Sequence, residues 1–403
     1  MGNLFRKYAK GDRAIWLVII ILSIASLLSV YSATGFLAYK YQGGNTSYYM
    51  FKQMGSLAFG IGVILFVHRI PYVWIARFAY IGLYFSVFLL LITLFSGVNL
   101  NNASRWLTIP GIGITFQPSE MAKLAIIIYV AKMLAQHQKE DEPAKEAFWP
   151  SMVHVVLVAG LIFTENLSTS LLVVAVTVAM MFVGRVPFKY LAGTGLVAIG
   201  LVALSIVIAP KVSFLPRAKT WSSRVEQFLN PENAEKSSTY QSDQSKIAIA
   251  SGGIFGKGPG NSVQRNFIPH PYSDFIFAII AEEYGFFGAF IIIICYLLLL
   301  GRIGTMVRAS NRTFPAFMAF GLGLMLVSQA FVNMGVAVGI FPVTGQPLPL
   351  VSLGTTSVLF TCVAFGLILG VSRHNMEQAD LARQSSKKEA VDEASLQTNE
   401  ISA

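Results

Sequence analysis

Residues 274–300 read DFIFAIIAEEYGFFGAFIIIICYLLLL. From Phe286 to Leu300 there is no charged residue, and the apolar run is unbroken rather than alternating. A helix that crosses a bilayer needs about 20 mostly apolar residues, and this block is long enough by itself. Working outward, nine similar blocks lie at about 14–33, 53–70, 76–96, 118–135, 148–164, 167–184, 190–209, 314–336 and 351–371. Ten blocks predict an all-α integral membrane protein with ten transmembrane helices.

The bulk numbers agree. Of 403 residues, 54% are hydrophobic and 12% charged, against about 25% charged in an average soluble domain. Mean hydropathy is +0.61. These values exclude a soluble globular enzyme, a disordered chain, a collagen and a disulfide scaffold. Cys295 and Cys362 both sit inside apolar blocks and read as packing residues. Net charge is +10, and no nucleic-acid partner is expected. The excess is read as topogenic charge facing anionic lipid. With ten spans, the short loops and termini on the N-terminal side carry 18 Lys and Arg, against 3 on the opposite side. Both termini are therefore expected in the cytoplasm.

That frame makes 1–13 a cytoplasmic N-terminus, basic but not a cleaved leader, and 14–372 a polytopic membrane domain. The polar tail 373–403 has no aromatic residue and reads as disordered. Between helices 7 and 8 lies one long extracytoplasmic loop, about 210–273. It is too long for a plain connector and is where function is expected.

Few polar residues remain near the outer face. Asp274 begins an apolar helix and can be a helix-start carboxylate or a functional one. On a continuous helix, Ala278, Ala281, Gly285 and Gly288 would lie beneath it, a stripe of small residues that admits another helix or a lipid chain. Glu282 and Glu283 sit farther down, where carboxylates face protein or water. In ASRWLTIPGIGITFQPSEMAKL, 103–124, Pro118 suits a first helical position. Lys123 in that first turn opposes the helix dipole and needs a partner, either Glu120 or an anion in a cavity. Arg105 and Trp106 fit an interfacial anchor or a phosphate contact. Glu165 and Asn166 in FTENLSTS read as turn caps. The prolines and glycines of NMGVAVGIFPVTGQPLPLVSLGTTS, 333–357, break apolar sequence where backbone must be buried in protein or line a cavity. Arg224 and Arg265 are loop cations suited to a diphosphate. Gly256-x-Gly258-x-Gly260 only superficially resembles a phosphate loop, with no strand before it and no Walker lysine in register. No His/Cys metal motif and no nucleophile elbow is present, so no protein-held metal is expected.

Taken in order, VYSATG, SRWL with QPSEMAKL, RVEQFLNPE with YQSDQSKIAIASGGIFGKGPGNS, PHPYSDFIFAIIAEEYGFFG, and NMGVAVGIFPVTGQPLPLVSLG resemble the SEDS family of bacterial cell-wall polymerases over about 14–372. The run Asn261-Ser262-x-Gln264-Arg265 is closer to the division-type members than to the elongation-type members. The resemblance implies a ten-helix glycosyltransferase of the plasma membrane, at the division septum. It would polymerise lipid II into glycan strands beside a class B penicillin-binding protein and other division proteins. It implies Asp274 as the catalytic residue. Arg105, Glu120, Lys123, Arg224, Ser262, Gln264 and Arg265 are the expected substrate contacts. A divalent cation, Mg²⁺ or Mn²⁺, is expected mainly on substrate diphosphate oxygens. Two departures stand out. Thr164-Glu165-Asn166-Leu167-Ser168-Thr169 puts Asn166 where an aspartate is common, and Ser352-Leu353-Gly354-Thr355-Thr356-Ser357 replaces a tyrosine- and glycine-bearing motif. A lipid II flippase and a non-catalytic scaffold acting through the tail are the rival readings.

Overall fold

The computed structural model describes residues 10–401 except 97, 101–102, 109–114, 139–141, 209–217 and 230–235. Each of the ten apolar blocks holds a helix. In chain order the elements begin with α1 (Arg13–Ala33), α2 (Gly35–Tyr41), α3 (Thr46–Val67) and α4 (Tyr72–Ser96). Next come β1 (Val98–Leu100), β2 (Ala103–Thr108) and β3 (Thr115–Phe116). Then follow α5 (Pro118–Gln136), α6 (Lys145–Phe163), α7 (Leu167–Val183), α8 (Phe188–Ile208), α9 (Ala218–Leu229) and α10 (Lys236–Gly252). The chain ends with α11 (Ile276–Arg308), α12 (Thr313–Val338) and α13 (Thr355–Ile401). The fold is all-α apart from a small antiparallel sheet, order β1-β2-β3, just before α5.

Among the described residues seven helices, α1, α3, α4, α6, α11, α12 and α13, are long and apolar enough to cross a membrane. The pattern is that of a multi-pass membrane protein. Helix α5 is the informative exception. It carries Glu120, Lys123 and Lys132, yet 14 of its 19 residues are buried. A helix surrounded by other helices need not be greasy all round, so it can hold charge that a lipid-facing helix cannot. It packs on α4, α6 and α12, and α12 packs in turn on α7, α11 and α13. The core therefore runs along α5 and α12.

The two chain ends share one end of the bundle. Asp12 caps α1 by accepting from Ala14 N at 2.8 Å, and its own N–H donates to Ser372 Oγ at 2.9 Å. Arg302, near the end of α11, pairs with Asp12 at 2.5 Å. The opposite end holds α2, the sheet, α9 and α10.

Three expectations are corrected here. The loop 210–273 is not irregular throughout: it contains α9 and α10 and a 3₁₀ turn at Gln264–Asn266. Trp221 anchors α9 against Phe163 and Leu167, and Ser245 ties α10 to Ala337 O at 2.7 Å. The tail read as disordered continues α13 with helical backbone to Ile401. It has neither Gly nor Pro over 373–403, and the membrane helix before it removes the nucleation cost. Third, the small-residue stripe beneath Asp274 does not form. Asp274 lies in a turn before α11, and α11 breaks at Gly285, with φ 64 and ψ −160.

That break has a structural logic. Unbroken, 33 residues would reach about 50 Å, well past the ~30 Å hydrocarbon core. The break leaves residues 286–308 as a spanning arm of ordinary length. It also orphans backbone groups, and the glycine-rich loop answers them. Lys257 N and Gly258 N donate to Glu282 O and Glu283 O at 3.0 and 2.9 Å, and Phe286 N donates to Gly253 O at 2.9 Å. A Cβ on Gly252, Gly256 or Gly285 would overlap backbone atoms of the facing segment. Gly252 and Gly256 of GGIFGKGPG thus permit backbone-to-backbone approach, while Gly253, Gly258 and Gly260 take left-handed turns, and no phosphate is needed to explain them. Gly256→Ala, strained at φ +81 and sterically blocked, should lower stability by about 1–3 kcal/mol. Gly62→Ala, in α3 with open space around it, should leave the melting temperature in detergent unchanged or slightly raised. Equal melting for the two variants would remove this account of the loop.

Candidate active site

The site is built on a stretch of backbone that makes no helix. Gly339, left-handed at φ 85, ends α12, and the chain runs without regular structure to the start of α13. Pro342, Pro347 and Pro349 supply no N–H, so the segment offers carbonyls and few donors. Unpaired carbonyls in a non-aqueous interior are costly. Each helix around the segment contributes a polar side chain to them. Arg224 of α9 donates to Val343 O at 2.9 Å and Asn333 of α12 to Gln346 O at 2.7 Å. Gln329 of α12 donates to Pro347 O at 3.0 Å, Tyr296 of α11 to Pro349 O at 2.6 Å and Ser26 of α1 to Val351 O at 2.8 Å. Leu350 is held at φ 66, unusual for a branched residue.

This segment grips the turn that carries Asp274. Ser352 Oγ donates to Ser273 O at 2.6 Å, Leu353 N to Tyr272 O at 2.9 Å, and Asn333 Nδ2 to Asp274 O at 2.8 Å. The carboxylate is half-buried. Its Oδ1 accepts from Ser273 Oγ at 2.8 Å. Among the described residues no donor reaches Oδ2, which faces Gly345: a Cβ there would stand 3.5 Å from it. Asn333 lies twenty residues into α12, about 30 Å from its start, which puts the carboxylate near the end of the bundle opposite Asp12. Beside it, His270 Nδ1 lies 3.0 Å from the Tyr272 hydroxyl. Burial pushes the Tyr272 phenol up, and Tyr49, Asp274 and Tyr41 push it the same way. Tyr272 therefore stays a neutral hydrogen-bonding group.

Glu120 and Lys123 take the ion-pair reading. Lys123 Nζ is 2.8 Å from Glu120 Oε1 and donates to Gln329 Oε1 at 3.1 Å. Lys123 is 3% exposed. The pair orients Gln329, which donates to Pro347 O, so it supports the broken segment. Asn166 accepts from Thr169 N at 3.2 Å as the cap of α7, and Gln346 Nε2 donates to Thr169 Oγ1 at 2.5 Å. A cap needs only an acceptor oxygen, so asparagine serves where an aspartate is common. A small cleft opens beside it, lined by Gln117, Ser119, Glu165 and Asn166 over Leu90 and Leu161.

Ser262, Gln264 and Arg265 form a second cluster around two buried carboxylates. Glu282 accepts from Ser262 Oγ at 2.5 Å, Lys257 Nζ at 2.6 Å, and Val263 N and Gln264 N at 3.2 Å each. Glu283 accepts from Ser262 N at 3.1 Å and from Ser32 Oγ. Arg265 donates to Ser32 Oγ at 3.0 Å. Ser262 is buried and fastens the loop to both carboxylates. VYSATG, which contains Ser32, is where the first span meets this loop. Arg105 falls on β2, and its side chain lies outside the described residues. Gln329, Asn333 and Gln346 were not singled out from sequence. The signal was there for two of them: Gln329 and Asn333 are polar, four apart, inside an apolar helix. Among the described residues no group of three or more His, Cys, Asp or Glu gathers to hold a metal.

Residues 12–377 match the FtsW/RodA/SpoVE model, described as cell cycle protein. The chain belongs to this family, the SEDS family. It is 32% identical over 371 residues to the probable peptidoglycan glycosyltransferase FtsW of Trichlorobacter lovleyi, covering 91% of this chain and 94% of that one. It is 33% identical over 371 residues to the protein of the same description from Coxiella burnetii, covering 89% and 95%. Among solved structures it is similar to a chain from work on the structural coordination of polymerization and crosslinking by a peptidoglycan synthase complex. The TM-score is 0.71, with 26% identity over 91% of this chain and 98% of that one. The rod shape determining protein RodA of Thermus thermophilus shares the SEDS fold, with a TM-score of 0.65 and 24% identity over 91% and 97%.

The buried pair generates a prediction. Lys123→Ala leaves Glu120 uncompensated and should cost about 3–5 kcal/mol of stability. Lys123→Met combined with Glu120→Gln should recover most of that loss in a double-mutant cycle of thermal melts. If the double variant is no more stable than the single, the pair does not hold the segment.

Proposed function

We propose that this chain is a peptidoglycan glycosyltransferase of the bacterial plasma membrane. It would polymerise lipid II, the undecaprenyl-diphosphate-linked disaccharide pentapeptide, with Asp274 as general base. The observation that carries the reading is the half-buried Asp274 carboxylate, with one oxygen fixed by Ser273 and no donor on the other among the described residues, in a chain of the SEDS family.

In this reaction the acceptor hydroxyl gives its proton to Asp274, and its oxygen attacks the anomeric carbon of the donor. The bond from that carbon to the diphosphate oxygen breaks, the diphosphate leaves with the electron pair, and the anomeric centre inverts. Positive charge must meet the leaving group. We assign that role to Arg105, Arg224 and Arg265. Lys123 and Glu120 are assigned to support of the 340–354 segment. A Mg²⁺ or Mn²⁺ ion would be held mainly by the substrate's diphosphate oxygens and would stabilise their charge.

The names of the similar FtsW proteins and the Asn261-Ser262-x-Gln264-Arg265 run support a septal role in division, and the Lys and Arg bias of the short loops supports both termini in the cytoplasm. The similarity to a chain of a synthase complex supports a crosslinking partner of the class B penicillin-binding protein type. With purified protein and lipid II, Asp274→Asn should lower glycan polymerisation by about 10²–10⁴-fold while leaving the thermal melt intact. Near-normal product from that variant would end the assignment of the base. Translocation of the headgroup without polymerisation would favour a flippase. A fluorescent fusion should form a midcell band at division, whereas dispersed sidewall patches would indicate an elongation role.

A further inference from the structure

The hairpin of α2 and α3, residues 35–53, has no role in the reaction as described, yet it is unusual in composition. It presents Phe36 at 57%, Tyr39 at 80%, Tyr41 at 61% and Tyr48 at 46% exposure. Lys40 and Lys52 are exposed among them. No Asp or Glu occurs between Asp12 and Glu120. The aromatic rings are ordered by neighbours: Lys40 Nζ lies 5.2 Å from the Tyr41 ring centre, and Tyr48 meets Tyr49 edge-on at 5.2 Å.

The hairpin stands beside Asp274. Tyr49 is one turn outward from Gln53, whose amide donates to Ser26 Oγ at 2.8 Å. Ser26 holds Val351 O, and Leu353 N holds Tyr272 O, two residues before the carboxylate. Tyr41 and Tyr49 are both electrostatic neighbours of Tyr272. On the other flank, a Cβ on Gly35 would stand 3.9 Å from Arg265 Nε. An interfacial belt accounts for rings at the end of a span. It does not account for Tyr39 and Tyr41, which lie past the end of α1 in a separate helix, nor for the place of Tyr41 near Tyr272. Exposed rings with polar tips, bordered by cations and free of acids, suit a ligand with flat apolar faces and many hydroxyls.

We propose that this hairpin is a carbohydrate-stacking surface, on which Tyr39, Tyr41 and Tyr48 hold sugar rings of the glycan strand next to Asp274. The inference rests on the polymerase reading, and its test has an arm that does not. Full-length protein in lipid nanodiscs is titrated with a soluble β-1,4-linked N-acetylglucosamine hexasaccharide, followed by ligand-observed NMR. Tyr41→Ala and Tyr48→Ala should each weaken binding about 3- to 10-fold. Tyr41→Phe and Tyr48→Phe should stay near the parent, because the ring face carries the contact. Asp274→Asn should bind the probe like the parent even where polymerisation is lost, which separates this proposal from the assignment of the base. In polymerisation assays the alanine variants should yield shorter strands. Unchanged probe binding in both alanine variants would overturn the proposal. So would a loss in the phenylalanine variants as large as in the alanine ones. Detectable probe binding by the parent without any polymerisation of lipid II would uphold the surface and sink the polymerase reading instead.

Discussion

A peptide carbonyl inside a membrane protein has nowhere to turn but to protein. The segment 340–354 puts a row of them among helices, with three prolines that cannot reciprocate. Donors from α1, α9, α11 and α12 converge on it. Those donors are costly in apolar helices, and each is tolerable because it has a fixed acceptor. The buried Lys123–Glu120 pair belongs to the same construction, since it orients Gln329. What the construction delivers is a turn, residues 271–275, whose carbonyls are tied down and whose one carboxylate has a single oxygen held by Ser273.

The second construction is the mirror of the first. Where α11 breaks at Gly285, the orphan groups are backbone groups, and backbone answers them. That requires close approach, hence glycine on both sides. Glu282 then gathers the loop beyond, taking main-chain N–H groups, a serine hydroxyl and a lysine into one buried carboxylate. An uncompensated carboxylate at that depth would be expelled or neutralised; one with this many donors can remain charged and hold the loop. Arg265 ends this cluster on Ser32, beside the hairpin that carries the exposed tyrosines.

Much of this was legible in order along the chain. The ten apolar blocks, the interrupted 333–357 stretch and Asp274 at a helix start could be read because burial in lipid or protein leaves a one-dimensional trace. Glu120 with Lys123 was legible as a pair, since three residues on a helix are neighbours whatever surrounds them. The helices of the outer loop were obscured because their apolar anchors are few: α9 rests on the single aromatic Trp221. The continuation of α13 was obscured because polar composition signals exposure and not backbone conformation.

Composition and hydropathy alone thus determined that this is a multi-pass membrane protein and which few polar residues needed explaining, because transfer into an apolar medium penalises each residue by its own chemistry. Only the tertiary structure decided what those residues touch. That Asn333 serves Asp274, that Ser262 is a fastener, and that the glycines face a helix break instead of a phosphate all depend on partners in other elements, as far as 59 residues apart. Hydrogen bonds are short and directional, so their pairing exists only once the helices are packed.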